Sequence, residues 1–447
     1  MDLGVTKGNI WVSIWQMSWP MVVMMLGNFT LGIVDIYAAG RLGPEAQASV
    51  GFCMQIFFFL SIVANAISIG TLSLVSRFAG AGNRLRTLEV ARQAILCGFG
   101  LSIVILLVLR LSVATIVESA GLPKEVRELS VSLLEVYSLA LAGSYIVIIA
   151  SAIFRANGEP LKALFIMLSM NVVNIGLIFP LVFGIGTFEG LGAKGLAVAM
   201  VASTFCGLLL SLSGFADKGW EGFYKGRVYF DKEDFLRIAS TGWPTAIMQI
   251  AWYSGTLALM GILGRLEGVG VAALAAMTNG LRIEAIIYLP AFALNMAASV
   301  LIGQNLGAGN ASRAEKTGWL IALAGVCIVS VLSLIIFFIA PFIASKISMD
   351  AEVQRETVIY LYFNLPIEPL MALGVILAGA MQGAGDTKGV MKIILFCMWG
   401  IRIPLAWMLA MQAGWGQRGV WTAMVVSMFL QGSLMAYRFK GGRWKTL

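Results

Sequence analysis

Histidine is absent from this chain of 447 residues. That removes the commonest protein metal ligand and the one side chain that titrates unperturbed near neutral pH. Any handling of protons therefore has to use carboxylates. Charge is also scarce: 12% of the residues are Asp, Glu, Lys or Arg, against about 25% in soluble domains. The five cysteines, Cys53, Cys97, Cys206, Cys327 and Cys397, all lie inside apolar stretches. They read as small buried hydrophobes, not as disulfides or metal ligands. No P-loop, G-x-S-x-G, zinc or haem pattern occurs. No polar stretch is long enough for a nucleotide-binding domain, which excludes an ATP-driven pump. With no nucleophile constellation the chain is not expected to be an enzyme or to need a cofactor. The N-terminus lacks the small-residue cleavage site of a secretory leader.

What is present is hydrophobic residue, 59% of the chain. Since about 20 apolar residues cross a bilayer, twelve runs qualify, at roughly 14–39, 46–75, 92–117, 131–155, 161–184, 191–216, 237–263, 270–302, 318–344, 358–382, 389–412 and 418–437. The fold class expected is an all-α polytopic membrane protein with twelve spans. Placing both termini in the cytoplasm puts twenty Lys and Arg residues on inside segments and eight on outside loops, with Arg110, Arg282 and Arg402 within runs. The positive-inside rule favours that orientation. The net charge of +8 thus belongs to cytoplasmic loops and does not point to nucleic acid.

The chain repeats itself. Trp19-Pro20 returns as Trp243-Pro244 and Gly40-Arg41-Leu42 as Gly264-Arg265-Leu266, each 224 residues on. Ala79-Gly80-Ala81-Gly82-Asn83 matches Leu306-Gly307-Ala308-Gly309-Asn310, and Asn157-Gly158-Glu159-Pro160 resembles Ala384-Gly385-Asp386-Thr387. Gly190, Gly192 and Gly195 match Gly414, Gly416 and Gly419, as expected of tight turns. Two six-span lobes follow, 1–216 and 237–447, joined by a charged cytoplasmic linker at 217–236. An even number of spans per lobe gives both the same orientation, related by a pseudo-two-fold axis along the membrane normal.

Three acids fall well inside the spans: Asp35, Glu284 and Glu368. A lone ionised acid at a helix centre costs about 2.5–3.5 kcal/mol on translocon scales and is usually functional. Asp35 lies five residues before Gly40, roughly 7 Å below the outer loop at ~1.5 Å per residue. Leu259 stands at the matching place of the second half, so only the first half carries this acid. Asn174 and Thr204 fall in the same outer half. The three make an all-oxygen set suited to Na⁺, or a site holding a proton on Asp35. Asn171, Asn174 and Thr204 also suit interhelical hydrogen bonding. Glu284 shares a helical face with Tyr288 but not with Arg282. It either lines a cavity or pairs with a basic group from another helix. Glu368, between Pro366 and Pro369, either does the same or pairs with Arg402. The 23 methionines, including Met17, Met21, Met24 and Met25 in the first span, and the phenylalanines at 57–59 could line an adaptable cavity or simply pack helices and face lipid.

Together these residues resemble the multidrug and toxic compound extrusion (MATE) family. The resemblance is carried by Trp19-Pro20 through Val34-Asp35 and Gly40-Arg41-Leu42-Gly43 in the first half. In the second it rests on Gly303-Gln304-Asn305-Leu306-Gly307-Ala308-Gly309 and Gln382-Gly383-Ala384-Gly385-Asp386-Thr387. It implies export of cationic amphipathic drugs in exchange for Na⁺ or H⁺, by a monomer whose two lobes rock around a central cavity in the plasma membrane. Asp35 would be the main coupling residue, with Asn174 and Thr204 in its cation network and helix 1 bending near Pro20. Two departures stand out. Several branches carry an aspartate where this chain has Ile178, and some carry an acid in the seventh span, where 237–263 has none. Glu284 and Glu368 are the candidates for a second-lobe site. The alternative is a lipid-linked oligosaccharide flippase of the same superfamily, which would want a cationic cavity for pyrophosphate.

Overall fold

A computed structural model describes residues 6–226 and 230–446. Residues 227–229, inside the expected linker, and the extreme ends lie outside the described residues. The first half contains α1 (Ile10–Arg41), α2 (Pro44–Gly80), α3 (Arg84–Ser119), α4 (Lys124–Leu139), α5 (Leu141–Ala156), α6 (Pro160–Phe183) and α7 (Ala193–Gly214). The second contains α8 (Lys232–Leu263), α9 (Gly270–Gly307), α10 (Ala311–Ile347), α11 (Ala351–Asn364), α12 (Glu368–Gly383), α13 (Thr387–Leu395), α14 (Ile403–Trp407) and α15 (Gln417–Lys440). Eleven helical segments are long and apolar enough to cross a membrane, and the bent pair α4–α5 makes twelve.

Three of the twelve spans are less regular than their hydropathy implies. The run at 131–155 breaks at Ala140 and bends by 48° between α4 and α5. The run at 358–382 passes through a 3₁₀ turn, Leu365–Ile367, between α11 and α12, where Pro366 and Pro369 lack the N–H that a continuous α-helix needs. The run at 389–412 widens into π-helix at Phe396–Arg402 and Met408–Gln412, on either side of α14. Pro404 is the second residue of that short helix. Its ring cannot accept the turn before it without displacing a carbonyl, and a π segment absorbs the extra residue.

The chain divides into two compact units inside helices, not in a loop. One unit comprises Val23–Gly242, and the other runs from Trp243 onward and includes the stretch up to Val22. Both divisions lie beside a Trp-Pro pair, Pro20 in α1 and Pro244 in α8, and each proline deletes one backbone hydrogen bond of its helix.

The paired glycine motifs adopt paired conformations. Gly192 and Gly416 have φ, ψ of 57°, −136° and 55°, −138°. Gly82 and Gly309 sit at φ 70° and 75°, and Gly158 and Gly385 at 82° and 87°. These are backbone regions that a side chain disfavours, so the repeat is written in turn geometry as well as in sequence.

In the second unit α9 and α12 pack in one register. A Cβ at Gly379 would meet Asn295, and one at Gly383 would meet the Ser299 backbone. Asn295 donates its amide to the Val375 carbonyl at 2.6 Å. Small residues one turn apart let the backbones close up in this way. The same register carries Glu284 on α9 towards Glu368 at the start of α12.

Candidate functional site

The expected first-half residues lie in one unit but are not joined to one another. Asp35, on α1, is half-buried and makes no hydrogen bond or ion pair among the described residues. It lies within electrostatic range of Tyr137, whose hydroxyl is buried and unpartnered. Asn174, on α6, is 5% exposed and donates to the Ser203 hydroxyl at 3.2 Å. Its Oδ1 is buried with no partner among the described residues, an oxygen that a proton donor or a cation would satisfy. One turn earlier, Asn171 Nδ2 stands 3.5 Å from Asn28 Oδ1 of α1, at the limit of a hydrogen bond. Thr204 is buried and turns its methyl towards Gly143. Ile178 is fully buried in an apolar cluster with Ala38, Ala39, Leu133 and Leu196. Cys53 belongs to the same cluster, and all five cysteines are free thiols.

The second-half residues form a connected cluster. The Tyr288 hydroxyl is 3.0 Å from Glu368 Oε1 and 3.4 Å from Glu284 Oε2. The Tyr360 hydroxyl, from α11, donates to Glu284 Oε2 at 3.2 Å. Both carboxyls are fully buried, and each keeps one oxygen, Glu284 Oε1 and Glu368 Oε2, without a partner. Arg402, 3% exposed, lies within electrostatic range of both acids. It forms no ion pair with either among the described residues. Its Nε donates to Ser427 at 2.6 Å, and its guanidinium lies over Trp252, 5.4 Å from the ring centroid. Tyr360 is itself fixed edge-on against Trp421, with ring centroids 4.7 Å apart.

Tyr360, Tyr137 and Ser203 were not singled out by sequence. For Tyr360 a signal existed: two acids buried in apolar spans require donors, and tyrosines are among the few side chains able to supply them from within a membrane helix. Among the described residues no cluster of three or more His, Cys, Asp or Glu side chains could hold a metal ion.

Fold and buried acids define a multi-pass membrane protein that keeps ionisable groups inside its spans, a pattern that marks ion and substrate pathways. The MatE family profile matches residues 20–179 and again residues 244–408, each match opening on the proline of a Trp-Pro pair. The chain belongs to this family and is a MATE family transporter. It is 25% identical to a probable multidrug resistance protein NorM of Thermotoga maritima over 93% of this chain and 89% of that protein. It is 22% identical to an uncharacterised transporter, YisQ, of Bacillus subtilis, over 97% and 94%. A multidrug resistance MATE family transporter of the MOP superfamily, solved facing outward, superposes with a TM-score of 0.90 at 19% identity, covering 99% of this chain and 98% of that one. A MOP superfamily transporter from Pyrococcus furiosus, described as having a binding pocket of reverse polarity, also gives 0.90, at 18% identity and the same coverage.

Proposed function

We propose that this protein is a secondary multidrug antiporter that exports cationic amphipathic compounds in exchange for Na⁺ or H⁺ by alternating access. The observation that carries the reading is Asp35, a carboxylate in a membrane helix with no hydrogen bond or ion pair among the described residues, in the same compact unit as an α6 carboxamide oxygen that is buried without a partner there. A half-buried acid in a membrane helix exchanges between a charged state that attracts a cation and a neutral state that releases it. Asn174 and Thr204 belong to its coupling network. The bodies that move follow the lobes 1–216 and 237–447 and the linker between them, except that the α1 stretch up to Val22 and the start of α8 up to Gly242 each go with the opposite unit. Names of relatives, such as multidrug resistance protein, support the substrate class. The protein works as a monomer in the plasma membrane with both termini cytoplasmic, binds no nucleic acid, carries out no catalysis and needs no cofactor beyond the coupling ion. Exchange of one Na⁺ or H⁺ for one monocationic drug moves no net charge, so the drive is the ion's own concentration ratio, about 1.4 kcal/mol for each tenfold, which sustains a drug ratio of the same size.

The test is drug efflux from proteoliposomes with Na⁺ and pH gradients imposed separately, for wild type and Asp35→Asn. Wild type should respond to one gradient, and Asp35→Asn should lose that response. Normal transport by Asp35→Asn would remove Asp35 from the mechanism. A wild type indifferent to both gradients would favour the flippase alternative.

A further inference from the structure

In the first unit α6 and α7 pack antiparallel: Gly195 meets Leu181, and Gly207 meets Met170. The N-terminus of α6 and the C-terminus of α7 therefore stand at the same end. A cavity of about 370 Å³ opens between those ends. Leu161, Phe165 and Ile166 of α6 and Leu210 of α7 form its apolar wall. Leu161 and Phe165 are 55% and 62% exposed, and the exposed face continues through Val172 and Phe179 of α6 and Phe205 and Leu209 of α7. That face carries no charge, as expected where a helix meets acyl chains. Charge is confined to the mouth of the cavity. Lys162 Nζ lies 2.7 Å from Asp217 Oδ2 and 2.9 Å from Glu159 Oε2. An ammonium has three N–H bonds, and the third has no oxygen acceptor among the described residues. Glu159 is also held by Asn157 and Trp220. The Asp217 side chain is 56% exposed, with Lys162 as its one side-chain partner among the described residues, so it keeps lone pairs for a further donor. The first turn of α6 has no side-chain cap, which leaves a positive helix end beside Lys162, and α7 brings its negative end to the same place.

We propose that this cavity binds the headgroup of one phosphatidylethanolamine molecule, a lipid that carries a phosphate and a primary ammonium. The phosphate accepts the third N–H of Lys162 beside the N-terminus of α6. The ammonium donates to Asp217 beside the C-terminus of α7. The acyl chains follow the exposed face of Phe165 and Val172. Charge makes the choice of lipid. Lys162, Glu159 and Asp217 already sum to one negative charge, which opposes an anionic headgroup. A choline headgroup has no N–H to give Asp217. A cation without a phosphate leaves the free Lys162 N–H and the helix N-terminus unanswered. Every residue of the site belongs to the first unit. The site takes only its side of the membrane, the cytoplasmic leaflet, from the orientation proposed above, and it does not depend on antiport.

The experiment is native mass spectrometry of the full chain in detergent, titrated separately with dioleoyl phosphatidylethanolamine, phosphatidylglycerol and phosphatidylcholine. One phosphatidylethanolamine should bind about tenfold more tightly than either of the others. Asp217→Asn removes the acceptor of its ammonium and should weaken it about tenfold, with the other two lipids unchanged. Ser213→Trp puts a ring into the cavity from an exposed position on its wall and should abolish the preference. Matched unfolding temperatures establish that both variants fold. A diazirine-bearing phosphatidylethanolamine should label the peptides around 161–166 and 210–217 in wild type and not in Ser213→Trp. Equal binding of the three lipids, or a preference that survives both substitutions, overturns the site and leaves adventitious lipid only. Tightest binding of phosphatidylglycerol overturns the choice of headgroup. Tetraphenylphosphonium binding that Ser213→Trp removes, with phosphatidylethanolamine unaffected, assigns the cavity to the exported cation and overturns the lipid. Proteoliposomes indifferent to both ion gradients count against the antiport reading and leave this site standing.

Discussion

At the scale of single residues, environment decides what each side chain can do. Ile178 is fully buried among alanines and leucines, so Ile178→Asp introduces an acid with no partner. It should cost about 2–4 kcal/mol, visible as a lower unfolding temperature at neutral pH that partly recovers in acid. Gly383 has the Ser299 backbone where its Cβ would go, whereas Gly100 on α3 has open space. Gly383→Ala should destabilise by about 1–3 kcal/mol, and Gly100→Ala should be neutral or stabilise by up to about 1 kcal/mol; thermal unfolding in detergent compares them. The three intramembrane acids could be read from sequence because charge in an apolar run is conspicuous. Their partners could not. Tyr360 joins Glu284 across 76 residues and Asn174 meets Ser203 across 29, pairings set by helix packing that no local pattern encodes.

At the scale of elements, hydropathy located all twelve spans but not their breaks, since a π segment or a 48° bend leaves the apolar count unchanged. Ends of elements carry their own signals. Asp231 caps α8, accepting from the Glu233 N–H at 2.8 Å and facing Arg86 at 3.5 Å. The Glu233 N–H first, with the Asp234 N–H and Arg86 adding to it, holds the Asp231 carboxyl below the usual carboxylate range. A lowered folded value means the contribution is present above about pH 4 and is lost as pH falls through that folded value. Asp231→Asn should therefore flatten the acid limb of a plot of unfolding temperature against pH. Each half also ends on a buried tryptophan in a 3₁₀ turn. Trp220 sits against Phe215, donating to Glu159 at 3.2 Å. Trp444 stacks on Phe439, donating to its carbonyl at 2.7 Å. Trp220→Ala and Trp444→Ala should each cost about 3–5 kcal/mol, while Trp415→Ala, at 55% exposed, should stay within about 0.5 kcal/mol of wild type.

At the scale of the molecule, sequence repeat and compact unit do not coincide. The repeat marks the halves by motif, and the chain's course through α1 and α8 hands a stretch of helix from each half to the unit built mainly by the other. The family profile begins each match at the proline where that transfer occurs. Motif spacing revealed the repeat but not the exchange, because an apolar stretch in the sequence does not specify which neighbour it packs against.

That exchange makes the two halves of the gene mutually dependent. A chain severed in the loop between α7 and α8 would yield two fragments, neither of which contains a whole unit. The first would lack residues 230–242 and the second the stretch up to Val22. Produced alone, each fragment should be degraded. Produced together, they should restore one another and co-purify without a covalent link, each contributing a helix end that the other cannot make.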